Sequence, residues 1–76
     1  MLRTDLNSTS LTAVAYLGQE VLLELEFKSG AIYHYRGVPE AIYQGLLQAV
    51  SKGAYFNHHI RNRFAYRKIC SAEQTV

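Results

Sequence analysis

Seventy-six residues, 49% apolar and 18% charged, make one globular domain and exclude intrinsic disorder. One cysteine excludes an intramolecular disulfide, and no apolar run approaches the roughly 18 residues of a membrane span. The net charge of +2 hides an asymmetry, −2 over residues 1–40 against +4 over residues 41–76, which favours an anionic partner at one end.

In chain order, "MLRTDLNSTS" has no apolar segment, so no signal peptide is expected. "NSTS" (7–10) reads as turn chemistry, with side chains bonding nearby backbone N–H groups. "LTAVAYL" (11–17) reads as a first strand. "VLLELEFK" (21–28) alternates, with Val21, Leu23, Leu25 and Phe27 on one face. Glu24 and Glu26 fall on the other, as a solvated edge. "SG" at 29–30 predicts a two-residue hairpin loop, and "AIYHYRGV" (31–38) the return strand. Tyr33 and Tyr35 share a face there; a stacking platform for bases is one reading of the pair, and cover for Leu23, Leu25 and Phe27 the preferred one. His34 and Arg36 then point outward.

Pro39 changes the period. Its fixed φ suits a first helical turn, and Glu40 suits the positive end of the helix dipole. Ile42, Leu46, Ala49 and Val50 fall at helical spacing, and Gly45 among them implies a close packing contact. Gly53 is expected as a left-handed cap closing this helix. Phe56, Ile60 and Phe64, spaced by four, predict a short second helix. "FAYRKI" (64–69) alternates as a last strand, with Phe64, Tyr66 and Lys68 on one side and Ala65, Arg67 and Ile69 on the other. Residues 70–76 read as a frayed tail. The expected fold is α+β, one domain with its core over residues 6–69. A small antiparallel sheet, a three-stranded meander plus a C-terminal strand, packs against one helix and a short second helix.

The stretch "SKGAYFNHHIRNRFAYRK" (51–68) carries five of the eight Lys and Arg, four aromatics and no acid. Phe56, Ile60 and Phe64 are explained by folding. The residues between them are the candidate binding set. Lys52, Arg61, Arg63, Arg67 and Lys68 supply phosphate contacts, Tyr55 and His59 stack or hydrogen-bond, and Asn57 orders the turn or touches the ligand. Arg36 on the third strand joins them as an outward-facing cation. No catalytic residue, metal site or cofactor is expected. His58 and His59 are adjacent and point apart, and no phosphate-loop spacing or paired carboxylates occur.

With the order of elements laid out, "NSTSLTAVAY", "LELEFKSGAIYHYRGVPEAIY", "LLQAVSKGAYFNHHIR" and "FAYRK" together resemble the KTSC domain family. That family is named for a segment at the C-terminus of some lysyl-tRNA synthetases and also occurs as stand-alone bacterial and phage proteins. The likeness runs through Tyr33-His34-Tyr35, Val38-Pro39 and Ser51, Gly53, Tyr55, Phe56 and Asn57, then His59, Ile60 and Arg61. The chain departs from the family at Ala15 (usually Gly), Leu17 (usually an acidic turn residue), His58 (commonly basic) and Phe64 (commonly Tyr). The resemblance implies RNA binding only by association with a tRNA synthetase.

The leading expectation is a non-catalytic, RNA-binding module of the cytoplasm, where Cys70 is a reduced thiol. A chain this short buries only about 60% of its unfolded surface, so a homo-oligomer binding a small phosphorylated ligand such as a nucleotide is the alternative. A protein–protein adaptor docking through the hairpin is the third.

Overall fold

The computed structural model describes residues 3–70. Among them run β1 (Thr4–Asp5), β2 (Leu11–Leu17), a 3₁₀ turn (Gly18–Glu20), β3 (Leu22–Phe27), β4 (Ile32–Arg36), α1 (Glu40–Gln48), α2 (Lys52–His59) and β5 (Ala65–Cys70). The strands form one antiparallel sheet in the order β1-β2-β3-β4-β5. The α+β expectation holds, with one strand more than the pattern predicts. β1 is two exposed polar residues, so no alternation announces it, and backbone pairing of Thr4 with Val14 and Asp5 with Ala13 defines it. The expected tail at residues 71–76 lies outside the described residues, whereas Cys70 closes β5.

Alternation along β2–β4, with a β-bulge between Leu11 and Ala13, places Leu11, Val14, Leu23, Leu25 and Tyr35 on one face. Leu46 of α1, Phe56 of α2 and Ile60 cover them in a single core that also holds Leu6 and Val38. Fully burying a side chain of this size stabilises by about 1.5–3 kcal/mol. Tyr16 stacks on Tyr43 at 5.0 Å, and its hydroxyl donates to Val38 O at 2.6 Å, which ties α1 to β2.

The β3–β4 hairpin turns through Lys28, Ser29 and Gly30, one residue more than expected. Phe27 N donates to Ala31 O at 2.9 Å and Gly30 N to Phe27 O at 2.8 Å. Gly30 takes φ 94°, the left-handed residue that three-residue hairpin loops require.

The helical region also departs from its periodicity. α1 stops at Gln48, Ala49 is extended, and Val50 is fully exposed. Two caps override the apolar spacing. Lys52 Nζ donates to Ala49 O at 2.8 Å, and Ser51 Oγ accepts from Ala54 N at 3.3 Å, starting α2;. Gly53 therefore lies inside α2 rather than capping α1, and its need for glycine is close approach: a Cβ there would lie 3.2 Å from Ser10 Oγ. α2 ends at His59, and Asn62 turns the chain toward β5 at φ 63°. The contact implied at Gly45 is real, since a Cβ there would collide with Tyr55 Oη. Tyr55 Oη donates to Ile42 O at 3.0 Å, locking α2 onto α1.

Candidate functional site

Register divides the polar residues between the two faces of the sheet. Glu24 pairs with Ala15 and His34, and His34 with Arg67. These four side chains therefore form one row across the face without helices, and alternation adds Glu26 and Arg36 to it. Glu24 is not the solvated edge that its spacing suggests. It is 8% exposed because it sits between the Arg3 and His34 side chains. Arg3 Nη2 lies 2.6 Å from Glu24 Oε2 and Nη1 lies 3.1 Å from Glu26 Oε1, while His34 Nε2 donates to Glu24 Oε1 at 2.8 Å. Ala13 and Ala15, opposite Glu26 and Glu24, are small enough to let the Arg3 side chain cross β2 to reach them.

The helix-bearing face ends in a cleft of about 560 Å³ between α2 and the β4–β5 pair, roofed by the hairpin tip and Ser10. Tyr33, Tyr35 and Tyr66 form its aromatic floor. Arg61, Lys68, Asn57 and Asn62 stand around it, and among the described residues no acid lines it. The floor exists because β5 pairs with β4, setting Tyr66 opposite Tyr35 and Lys68 opposite Tyr33. The three tyrosine rings pack with centroids 5.7–6.2 Å apart. Phe56 meets Tyr35 edge-on at 5.8 Å. Tyr35 is buried, Tyr33 is half-buried, and Tyr66 is 60% exposed. Burial pushes the Tyr35 hydroxyl up from 10.0 to about 12. The neighbouring Tyr33 and Tyr66 add to this, and the Arg61 charge partly opposes it. Tyr35 is therefore a protonated donor at neutral pH. Burial, with Glu40 nearby, also raises Tyr16 on the far side of the core.

Of the candidate residues read from the sequence, Asn57, Arg61 and Lys68 come together in this cleft. Four others are engaged by the helices themselves. Lys52 caps α1 and Tyr55 bonds α1. His59 packs on the Tyr55 ring at 4.4 Å. Arg63 Nε donates to His58 O at 2.9 Å, closing α2. Arg36 and Arg67 point from the opposite face. The sequence reading leaves Tyr66 and Asn62 out of the site and prefers the core over a stacking platform for Tyr33 and Tyr35. The phase that Tyr66 shares with Lys68 is a signal, but only the β4–β5 register joins them to Tyr33 and Tyr35. The "NSTS" turn forms as expected, with Ser8 Oγ accepting from Ser10 N at 3.1 Å and Leu11 N at 3.3 Å. Ser10 reaches the cleft rim from it. Among the described residues, no three His, Cys, Asp or Glu side chains gather into a metal site. No helix there is long and apolar enough to cross a membrane.

The geometry defines a small five-stranded α+β domain with one acid-free basic and aromatic cleft. A family model of the KTSC domain matches residues 7–64, and the chain belongs to the KTSC domain family. A KTSC domain protein from Yersinia pestis, known from its crystal structure, superposes with a TM-score of 0.88 at 35% identity, covering 91% of this chain and 97% of its own. An uncharacterized protein of Stutzerimonas stutzeri is 46% identical over 57 residues, which is 75% of this chain and 80% of that protein. A lysine–tRNA ligase of a Nostoc species is 45% identical over 47 residues, covering 62% of this chain and 8% of the ligase.

Proposed function

We propose that this protein is a non-catalytic module that binds single-stranded nucleic acid, RNA in preference, in the cleft between α2 and β4–β5. The observation that carries this reading is the convergence of Arg61 and Lys68 beside exposed Tyr66 in a cleft that no acid lines among the described residues. Two cations there suit phosphates, with affinity that falls as salt rises. The Tyr66 ring offers a face to an unpaired base, worth about 1–3 kcal/mol. The amides of Asn57 and Asn62 both donate and accept, as base edges require. The likeness to part of a lysine–tRNA ligase favours RNA by association.

Fluorescence anisotropy with labelled single-stranded RNA, tRNA and single-stranded DNA, each at low and high salt, tests this. Micromolar binding that weakens with salt and favours single-stranded RNA is expected. No binding at low salt sinks the reading. One observation favours a second reading, a free phosphorylated small molecule such as a nucleotide: the cleft volume of about 560 Å³ suits a small-molecule site. A several-degree thermal shift with one mononucleotide, a stable oligomer by light scattering and no RNA binding select that reading instead.

A further inference from the structure

We infer that the tyrosine end of the cleft is an oxyanion subsite, in which the hydroxyls of Tyr33, Tyr35 and Tyr66 and the Arg61 guanidinium bind a phosphate monoester. This rests on the cleft being the ligand site, and it specifies which part of the ligand enters deepest: a terminal phosphate, not a base or an internal phosphodiester.

The starting point is a tyrosine hydroxyl that has no side-chain or backbone partner among the described residues. Buried tyrosine hydroxyls ordinarily find a partner. Tyr16 and Tyr55, which are more exposed than Tyr35, both do so, on Val38 O and Ile42 O. Tyr35 is 5% exposed, yet its hydroxyl bonds no other described residue. The atom is not sealed in either, since no enclosed side-chain N or O is left without a partner. It opens into the cleft that Tyr35 lines. The hydroxyl is thus accessible to water or to a ligand that enters the cleft.

The surroundings specify the chemistry of that ligand. Tyr33 and Tyr66 flank Tyr35, with ring centroids 6.2 and 5.7 Å away, and both lie close enough to hinder its ionisation, while Arg61 lies close enough to ease it. Three phenol side chains and a guanidinium thus line the same cleft. The Tyr35 ring has no face free for a base, because Tyr33 stacks on it and the Phe56 ring packs against it. What it offers is its edge, a donor. A phosphate monoester presents three acceptor oxygens and about −1.5 to −2 charge at neutral pH. A phosphodiester presents fewer oxygens and less charge to the same donors. Arg61 alone would suit either; the added phenols favour the monoester, because bonds to an ionised acceptor are the strong ones.

The test uses the full chain and one short single-stranded RNA in three forms: unphosphorylated, 5′-phosphorylated and 3′-phosphorylated. Adenosine, adenosine monophosphate and inorganic phosphate serve as competitors. One end-phosphorylated form is expected to bind on the order of tenfold more tightly than the unphosphorylated form. The monophosphate and inorganic phosphate should compete where adenosine does not. Tyr35→Phe keeps the packed ring and is expected to abolish the preference, and its melting curve checks that it folds. Equal, salt-sensitive binding of all three RNAs overturns the subsite and leaves the nucleic-acid reading intact. A preference that survives in Tyr35→Phe also overturns it. Binding of the monophosphate without any RNA supports the subsite and overturns the nucleic-acid reading instead.

Discussion

The two faces of the sheet hold the same kinds of polar residue and use them in opposite ways. On the face without helices, acids are partnered: Arg3 bridges Glu24 and Glu26, and His34 closes on Glu24 from the other side. On the helix-bearing face, Arg61 and Lys68 border a cleft that no acid lines among the described residues. The basic C-terminal half of the chain supplies both faces, since Arg67 and Lys68 are neighbours in β5 that point opposite ways. A count of positive charge along the sequence therefore overstates the site. What distinguishes the cleft is where the acids fold, and every strand acid with a described ion pair lies on the other face.

The largest expected effect tests that distinction directly. Arg61→Ala combined with Lys68→Ala removes two charge-assisted phosphate contacts, each typically worth about 1.5–3 kcal/mol. Affinity for single-stranded RNA should fall on the order of 100-fold, and the dependence of binding on salt should flatten. Wild-type affinity in the double variant would move the site elsewhere.

Next comes an alkaline signature of the cleft. The Tyr35 hydroxyl is raised from 10.0 to about 12, so the folded protein holds this proton after the unfolded chain has released it. Its contribution to stability is complete below pH 10 and is lost as pH rises through about 12, up to about 2–3 kcal/mol. Unfolding free energies measured by urea across that window should decline more steeply in the wild type than in Tyr35→Phe. Equal slopes would mean that burial does not hold this phenol neutral.

The open face should respond in the reverse sense, in stability and not in binding. Glu24→Gln keeps the shape but removes the charge that Arg3 and His34 share. The Glu24 side chain is 10% exposed and that of Arg3 42%, so solvent screens part of the loss. A decrease of about 1–2 kcal/mol in unfolding free energy is expected, with RNA affinity unchanged. Weaker RNA binding by a fully folded Glu24→Gln protein would join the two faces functionally and break the contrast.

Much of this architecture was legible in the residues, and the exceptions have physical causes. Alternation exposed β2, β3 and β4, and Pro39 marked α1. Gly45 signalled the Tyr55 contact before Tyr55 was known to be there. β1 was silent because Thr4 and Asp5 are held by backbone pairing alone. The break between α1 and α2 was hidden because Ser51 and Lys52 act as caps through single hydrogen bonds that apolar spacing does not register. Glu24 misled because an alternating pattern reports which face a side chain takes, not which partners meet it there. The site was half legible for the same reason. Asn57, Arg61 and Lys68 lie in the basic stretch, whereas Tyr33 and Tyr35 reach them only through the β4–β5 register, a contact between segments about 30 residues apart that periodicity does not encode.

The smallest expected effect is the sharpest control. Arg36→Ala combined with Arg67→Ala deletes as much positive charge as the first double variant, from β4 and β5 themselves. These side chains point away from the cleft, with the sheet between them and any ligand. Only long-range attraction is then lost, and physiological salt screens charges over about 8 Å. Affinity should fall less than about threefold, and added salt should erase even that difference. If both double variants lose affinity equally, binding follows total charge, the ligand is held by a diffuse basic surface, and the acid-free cleft is not the determinant. If only Arg61 and Lys68 matter at matched charge, position decides, and the neutralised face serves the fold alone.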